Sequence, residues 1–479
     1  MTYRRRRTAA LLISVASIIS STPGLAQSGT SPSSNTREWQ GSRDPAYQLS
    51  QADAPSSRDA LFGDDLPKAK KSGSGSGIGL RGFIQNEIAY TYANPAHWST
   101  LITRAELAAQ GSFSGDVKWK LSGRVDYDPV YDLTHFYPGE VRKDQRLNFY
   151  ARENYIDFGA GGWDFRLGRQ HVVWGEVVGL FFADVVSAKD TREFLLPDFD
   201  ILRIPQWAAR AEYTAKDFHA ELVWIPVATY NETGKPGAEF FPAVLPPPPG
   251  FATQFRGETK PARDLSNTNY GLRLSTLQTG WDVSGFYYRS NDAAPTFSRQ
   301  IVTTPQPAFI YQPFHDRISQ FGATVAKDFR SFVLKTEAVY TQGRQFSVTR
   351  VTDVDGLVSQ NTLDWILSFD FTLPKETRLN VQLFERVFFN HDPDIIPSER
   401  ENGYSIFLNH KLTDKLEAQV LWISSLNRRD WMLRPRVMWN FEKNWRLAAG
   451  IDVFNGPPLG FFGQYSNRDR AYTEVRYSF

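Results

Sequence analysis

The chain has 479 residues, a formal net charge of +2 and no cysteine. The near balance of charge gives no reason to expect a nucleic-acid partner, and the missing cysteines exclude a disulfide framework. Mean hydropathy is negative, yet 14% of residues are aromatic, and nowhere do the roughly 18 consecutive apolar residues of a membrane-crossing helix occur.

Residues 1–26 read as a secretory signal peptide. Arg4 to Arg7 form the basic start, Thr8 to Ser21 the short apolar run, and Gly24-Leu25-Ala26 the small residues of a cleavage site. Cleavage near Gln27 removes four arginines and no acid, so the mature chain carries −2. Residues 27–77 are rich in Ser, Gly, Pro, Asp and Lys and end in Ser72-Gly73-Ser74-Gly75-Ser76-Gly77. Such a stretch buries too little apolar surface to order itself and is expected to be a disordered periplasmic leader. Within it a solvated linker is the expected reading, and a helical turn of Leu61, Phe62 and Leu66 docked on a surface is the alternative. A leader of this size is too short for a folded plug of the kind a TonB-dependent receptor carries.

From Ile78 to Phe479 the period becomes two. In Leu363 to Phe371 the odd positions are large and apolar and most even ones polar; in Trp431 to Phe441 and Ala471 to Phe479 the two faces separate again. Alternation of this kind puts one face in lipid and the other in a wet lumen, and open sheet edges are not tolerated in lipid, so the sheet must close. The expected fold is all-β, a transmembrane antiparallel β-barrel of about 18 strands, with 16–18 as the range. The segments run near 78–92, 99–114, 116–127, 145–159, 162–171, 206–215, 217–228, 266–278, 280–290, 315–329, 331–342, 360–373, 376–389, 403–412, 414–425, 430–442, 444–454 and 470–479. Within 145–159 the alternation fails, and Glu153 falls on the lipid side, which predicts a bulge. Short turns such as Ala160-Gly161 and Thr279-Gly280 alternate with long loops such as 128–144, 172–205 and 229–265. An even strand count puts both termini on the periplasmic side. Trp119, Trp163, Trp281, Trp422, Trp439 and Trp445 sit near strand ends, as headgroup girdles require. The last strand closes on Phe479, which resembles the C-terminal signature of bacterial outer-membrane proteins that the barrel-assembly machinery reads.

No catalytic constellation stands out. The seven histidines are scattered, without metal-ligand spacing, H-E-x-x-H or G-x-S-x-G. His391-Asp392, in an outer loop, and His315-Asp316, at a strand start, are sequence neighbours, and in the second pair adjacent strand residues point to opposite faces. No enzyme activity, cofactor or metal is expected. Alternation instead assigns many charges of both signs to the lumen, with arginines concentrated on the last three strands at Arg434, Arg436, Arg446 and Arg476.

The excursion 172–205 is unlike any other loop, with Phe181-Phe182 and Phe194-Leu195-Leu196 among Glu176, Asp184, Lys189, Asp190, Arg192 and Glu193. Such apolar residues are costly in open water, so the loop is expected to fold inward and those charges, with the four arginines, to line a constriction. Loop 229–265 carries Phe240-Phe241 and the run Pro246 to Pro249, a stiff segment suited to capping the mouth.

Leu167-Gly168-Arg169-Gln170-His171-Val172-Val173-Trp174-Gly175-Glu176, then Asp184-Val185-Val186-Ser187-Ala188-Lys189-Asp190 and Arg203-Ile204-Pro205, resemble the pattern of an uncharacterised family of proteobacterial outer-membrane proteins in the porin and alginate-export-like superfamily. Ser187-Ala188 stands where that family has Asn-Pro. The resemblance implies a barrel over 78–479 and a transport role in the bacterial outer membrane. The expected function is a porin-like channel for small solutes. The alternative is a selective transporter of a hydrophobic compound, lipid or anionic polymer, working with a periplasmic carrier.

Overall fold

The computed structural model describes residues 78–113, 117–175, 177 and 183–479; the signal peptide and the leader with Leu61, Phe62 and Leu66 lie outside the described residues. Nineteen ladder strands form one antiparallel sheet, and two of them, His97–Thr100 and Thr103–Ser112, pair with the same partner, so they are one interrupted stave and the barrel has eighteen. In chain order the staves are β1 (Gly79–Thr91), β2 (the interrupted pair), β3 (Lys118–Tyr127), β4 (Leu147–Ala160), β5 (Trp163–Gln170) and β6 (Gln206–Ala215). They continue as β7 (Phe218–Val227), β8 (Asn269–Gln278), β9 (Trp281–Asn291), β10 (Arg317–Asp328), β11 (Val333–Ser347) and β12 (Leu357–Leu373). The last are β13 (Thr377–Phe389), β14 (Arg400–Thr413), β15 (Leu416–Ser425), β16 (Trp431–Glu442), β17 (Trp445–Asn455) and β18 (Arg470–Ser478).

Every stave pairs with its sequence neighbours, and β1 pairs with β18 from Phe83↔Ser478 to Thr91↔Arg470, which closes the ring. The seam is extended by Phe479, whose N–H donates to the Gly82 carbonyl at 2.9 Å and whose carbonyl accepts from Gly82 N–H at 3.0 Å. Closure leaves no row of unpaired amides facing lipid. Both chain ends of the barrel lie on the rim of the short turns. Three of those turns carry paired left-handed backbone: Gly161 and Gly162 (φ 61° and 85°) join β4 to β5, Thr279 and Gly280 (φ 51° and 76°) join β8 to β9, and Lys375 and Glu376 (φ 59° and 50°) join β12 to β13. Paired positive φ is the two-residue hairpin geometry that matches strand twist.

The two faces differ as the alternation requires. In β1, Phe83, Gln85, Glu87 and Ala89 are buried while Ile84 and Ile88 are exposed; Leu222 and Trp224 of β7 and Trp439 of β16 are likewise exposed outward. A continuous belt of such side chains would be strongly unfavourable in water and is favourable in hydrocarbon. Aromatic pairs gather at both borders of the belt. Trp281–Phe329 and Trp445–Tyr477 lie at the short-turn rim, and Tyr90–Trp98 and Tyr404–Trp422 toward the other.

The bulge expected in 145–159 is present. The β3–β4 register shifts between Leu121↔Asn154 and Gly123↔Ala151, so Arg152 and Glu153 share the inside, where Glu153 pairs with Lys120. The segment read as one strand over 99–114 is broken at Leu101-Ile102, because Leu101 N–H turns to the Asp128 carboxylate (3.0 Å) instead of the ladder.

The long loops hold structure that simple alternation does not announce. Loop 128–146 carries two short helices, α1 (Val130–Leu133) and α2 (Gly139–Gln145). Ala252–Phe255, Ala308–Phe314 and Thr296–Val302 form a separate three-stranded sheet over the loop end. The prolines among these segments disguise them as loop.

Candidate functional site

The segment between β5 and β6 folds into the barrel and is bonded to its wall in three places. It leaves at Gln170, paired with Gln206, and Ser187 Oγ donates to the Val172 carbonyl at 3.1 Å to close its base. Ala188-Lys189 and Arg203-Ile204 form a two-residue ladder, and α3 (Phe199–Leu202) follows Asp198.

One wall contact is with β7 to β11. Trp174 is fully buried against Phe286 and Tyr288, with Val172, Ala183 and Val186 around it. A side chain at Gly271 would stand 2.6 Å from the Trp174 ring, so only glycine admits the indole there. Below, the Glu337 carboxylate accepts Val177 N–H at 2.7 Å and Ala183 N–H at 3.0 Å. A buried amide left without an acceptor costs about 1–3 kcal/mol. Glu337→Ala strands two, so it is expected to loosen the segment, and single-channel recordings of that variant should show more frequent current fluctuations than the parent.

A second contact is with β14 to β18. Phe194 stands at φ 57°, a left-handed conformation unfavourable for a bulky side chain, and is held there by the rings of Phe240, Phe454, Phe461, Phe462 and Tyr465. Leu196, Ile423 and Met432 complete this cluster. Arg434 donates to the Leu195 and Leu196 carbonyls at 3.4 and 2.9 Å and pairs with Asp452 at 2.7 Å. Asp198 is shared by three guanidiniums: Arg446 at 3.0 Å, Arg436 at 3.3 Å and Arg476 at 4.0 Å. Burial opposes its ionisation, but the three arginines outweigh burial and hold its carboxyl well below the usual range.

A third set of bonds joins the segment to β2, β3 and β4. Arg104 pairs with Glu193, Arg124 donates to the Ile201 carbonyl, and Arg152 donates to the carbonyls of Asp200 and Arg203. Arg192 pairs with Asp190 at 2.6 Å and donates to the Tyr150 hydroxyl. Arg203 reaches Asp184 at 2.9 Å, and Lys189 Nζ approaches the Asp184 carbonyl at 3.4 Å. His171, at the base, is kept neutral: burial and then Arg152 push its imidazole down to about 3.

The ten candidate residues therefore divide. Asp190, Arg192 and Glu193 face β2 to β4, and Arg434, Arg436, Arg446 and Arg476 meet the same segment from β16 to β18 around Asp198. Asp184 and Lys189 hold the segment's own fold together, and Glu176 lies outside the described residues. Alternation put Glu337 and Arg104 on the lumen face but gave no sign that they anchor the loop. Phe194 packs inward as expected, while Asp198 was missed as a site residue; the only local signal for it is Pro197-Asp198 ahead of a short helix. Phe240 and Phe241 of the proline-rich loop do pack inside, the first on Phe194, the second beside Val130 and Tyr137. The histidine neighbours do not act as pairs. His315 bonds to Glu258 and the Asp292 carbonyl, both at 2.8 Å, while Asp316 accepts from Thr296; His391 bonds to the Pro397 carbonyl and Asp392 holds Arg350.

The model of the family described as "Protein of unknown function (DUF1302)" matches residues 8–384, most of the chain and all of the inward segment. The chain belongs to the DUF1302 family. No curated protein matches its sequence. Among solved structures, this DUF1302 protein is similar to Acinetobacter baumannii OccAB3, with 8% identity, 84% of this chain and 99% of that chain covered, and a TM-score of 0.49. It is similar also to the outer-membrane protein OmpT of Vibrio cholerae, at 11% identity, 84% and 99% coverage and a TM-score of 0.42. An anion-selective porin from Comamonas acidovorans matches at 10% identity, 84% and 99% coverage and a TM-score of 0.39. The closed strand ladder of the DUF1302 chain stands on its own hydrogen bonds.

One loop group of this DUF1302 protein titrates near neutrality. Asp128 accepts from Leu101 and Val130 N–H groups, both at 3.0 Å, yet burial dominates and pushes its carboxyl up to about 7. A raised carboxyl favours the folded state most below about pH 3.9, and that contribution is lost as pH rises through 7. The apparent melting temperature is thus expected to fall between pH 5 and pH 8, and to fall less in Asp128→Asn, which keeps an acceptor without the charge.

Proposed function

We propose that this protein is a bacterial outer-membrane channel through which small solutes diffuse, narrowed by the inward segment 171–205. The observation that carries the reading is the anchoring of that segment at Glu337 on β11 and at Arg434, Arg436 and Arg446 on β16 and β17. A loop tied to separate walls of a closed barrel lies across its lumen and divides it into narrower passages. Asp190, Arg192 and Glu193 border the passage on one side, and the arginines border the other. Together with Asp184, Lys189 and Glu176, they set which charges pass. Delivery to the outer membrane uses the signal peptide, and Phe479 at the seam is what the barrel-assembly machinery engages.

Purified mature protein in planar bilayers tests the channel reading. Stepwise ion currents are expected; electrically silent insertions of folded protein would overturn it.

A second reading, selective passage of an apolar compound handed over by a periplasmic carrier, is favoured by one feature. The lumen wall at Phe407, Leu421, Ile423 and Met432 is apolar, where a purely aqueous pore would carry polar side chains. Cargo-dependent block of the current separates the two.

A further inference from the structure

Between the inward segment and the β14–β16 wall lies a cleft with a cavity volume of about 50 Å³. One end is apolar, lined by Leu196, Phe199, Phe407, Leu421, Ile423 and Met432. The other holds Arg434, Arg436 and Asp198. The arginines are not equally occupied. Arg434 spends its guanidinium on Asp452 and on the Leu195 and Leu196 carbonyls. Among the described residues, Arg436 donates through Nη1 alone, to Asp198 at 3.3 Å, and its buried Nε and Nη2 meet no hydrogen-bond partner. Its side chain is only 11% exposed. Two buried guanidinium N–H groups without an acceptor are expensive, and they form one edge of the fork that a carboxylate fits. Asp198 does not supply the missing acceptor, because its carboxylate also serves Arg446 and Arg476.

We propose that this cleft is a binding subsite for an amphipathic monoanion, a carboxylate head on Arg436 with an unbranched apolar tail along Leu421, Ile423 and Met432. Head and tail positions follow from the strand itself. Met432 and Arg436 lie on one face of β16, four residues apart, which spans about 13 Å. A medium-length alkyl carboxylate such as octanoate is of that size. Neither end suffices alone: acetate gains nothing from the apolar wall, and a neutral amide of the same tail offers Arg436 one carbonyl acceptor and no charge. Each methylene buried removes further apolar surface from water, so tail length governs affinity. The subsite turns a passive passage into one that concentrates such anions at its narrowest part, and the inference rests on the channel reading above.

Planar-bilayer recording of the mature full-length protein tests both in sequence. A potassium chloride current is measured first, then millimolar octanoate, acetate or octanamide is added. Octanoate is expected to cut the mean current by more than half, and the other two to leave it nearly unchanged. Block is scored against each variant's own open current. Arg436→Gln should weaken it at least tenfold, and Leu421→Ser should weaken it severalfold. Acetate blocking as well as octanoate, or undiminished block in Arg436→Gln, would overturn the subsite while leaving the channel intact. If no current flows at all, the channel reading falls, and the cleft is then read by thermal unfolding in amphipol. Stabilisation by octanoate that Arg436→Gln abolishes supports the subsite, and an equal shift in both proteins overturns it.

Discussion

Removing residues 178–198 raises single-channel conductance several-fold. The segment runs from Trp174 on the β7–β11 side to Phe194 and Leu196 on the β15–β17 side, and its backbone is held by Glu337, Arg434 and, just beyond the deletion, Arg124 and Arg152. The barrel itself does not depend on it, because the closing ladder from β1 to β18 and the β5–β6 pairing are made elsewhere. A shortened connection leaves the staves paired and empties the middle of the pore. Conductance equal to the parent would mean that the segment merely packs one wall.

Asp198→Asn makes the channel more anion-selective. The carboxylate neutralises the meeting point of Arg436, Arg446 and Arg476; without it the passage gains one positive charge where the local dielectric is low. Under a salt gradient the reversal potential should move toward that of chloride. The same change leaves buried guanidiniums uncompensated, a cost of roughly 3–5 kcal/mol where a buried pair is broken. Its apparent melting temperature should therefore also drop. Because Asp198 ionises well below the usual carboxylate range, its contribution is present above about pH 3.9 and lost only as pH falls through that depressed value. Parent selectivity attributable to this residue should be constant from pH 5 to pH 8. A reversal potential in Asp198→Asn identical to the parent would contradict the assignment.

These effects depend on contacts that differ greatly in how readable they are. The staves were legible because lipid and lumen impose opposite demands on alternate residues, and Leu363 to Phe371, with Ile366 as its exception, and Ala471 to Phe479 carry that demand. The bulge at Arg152-Glu153 was legible as a failure of the same rule. The inward course of 171–205 could be read from the cost of exposing Phe194-Leu195-Leu196. Its anchors could not, because Glu337 and Asp198 meet the loop or its wall across 160 and 238 residues of chain, respectively. Nothing local distinguishes Glu337 from Glu221 or Glu106 as a lumen-facing carboxylate. The outer sheet of Ala252–Phe255, Thr296–Val302 and Ala308–Phe314 was hidden for a related reason, since its strands are supported by one another and by rings such as Phe251–Phe309 rather than by two contrasting solvents.

The central claim is that segment 171–205 borders the conducting path. The chain has no cysteine, so a single introduced thiol is an unambiguous reporter. Pro197 borders the cleft beside Arg436 and also the polar cavity beside Asp190 and Glu193, on the opposite side of the segment. With Pro197→Cys in a planar bilayer, a charged methanethiosulfonate should lower the current in an irreversible step that the cysteine-free parent does not show. A thiol proven by mass spectrometry to be modified, with current unchanged, would contradict the account.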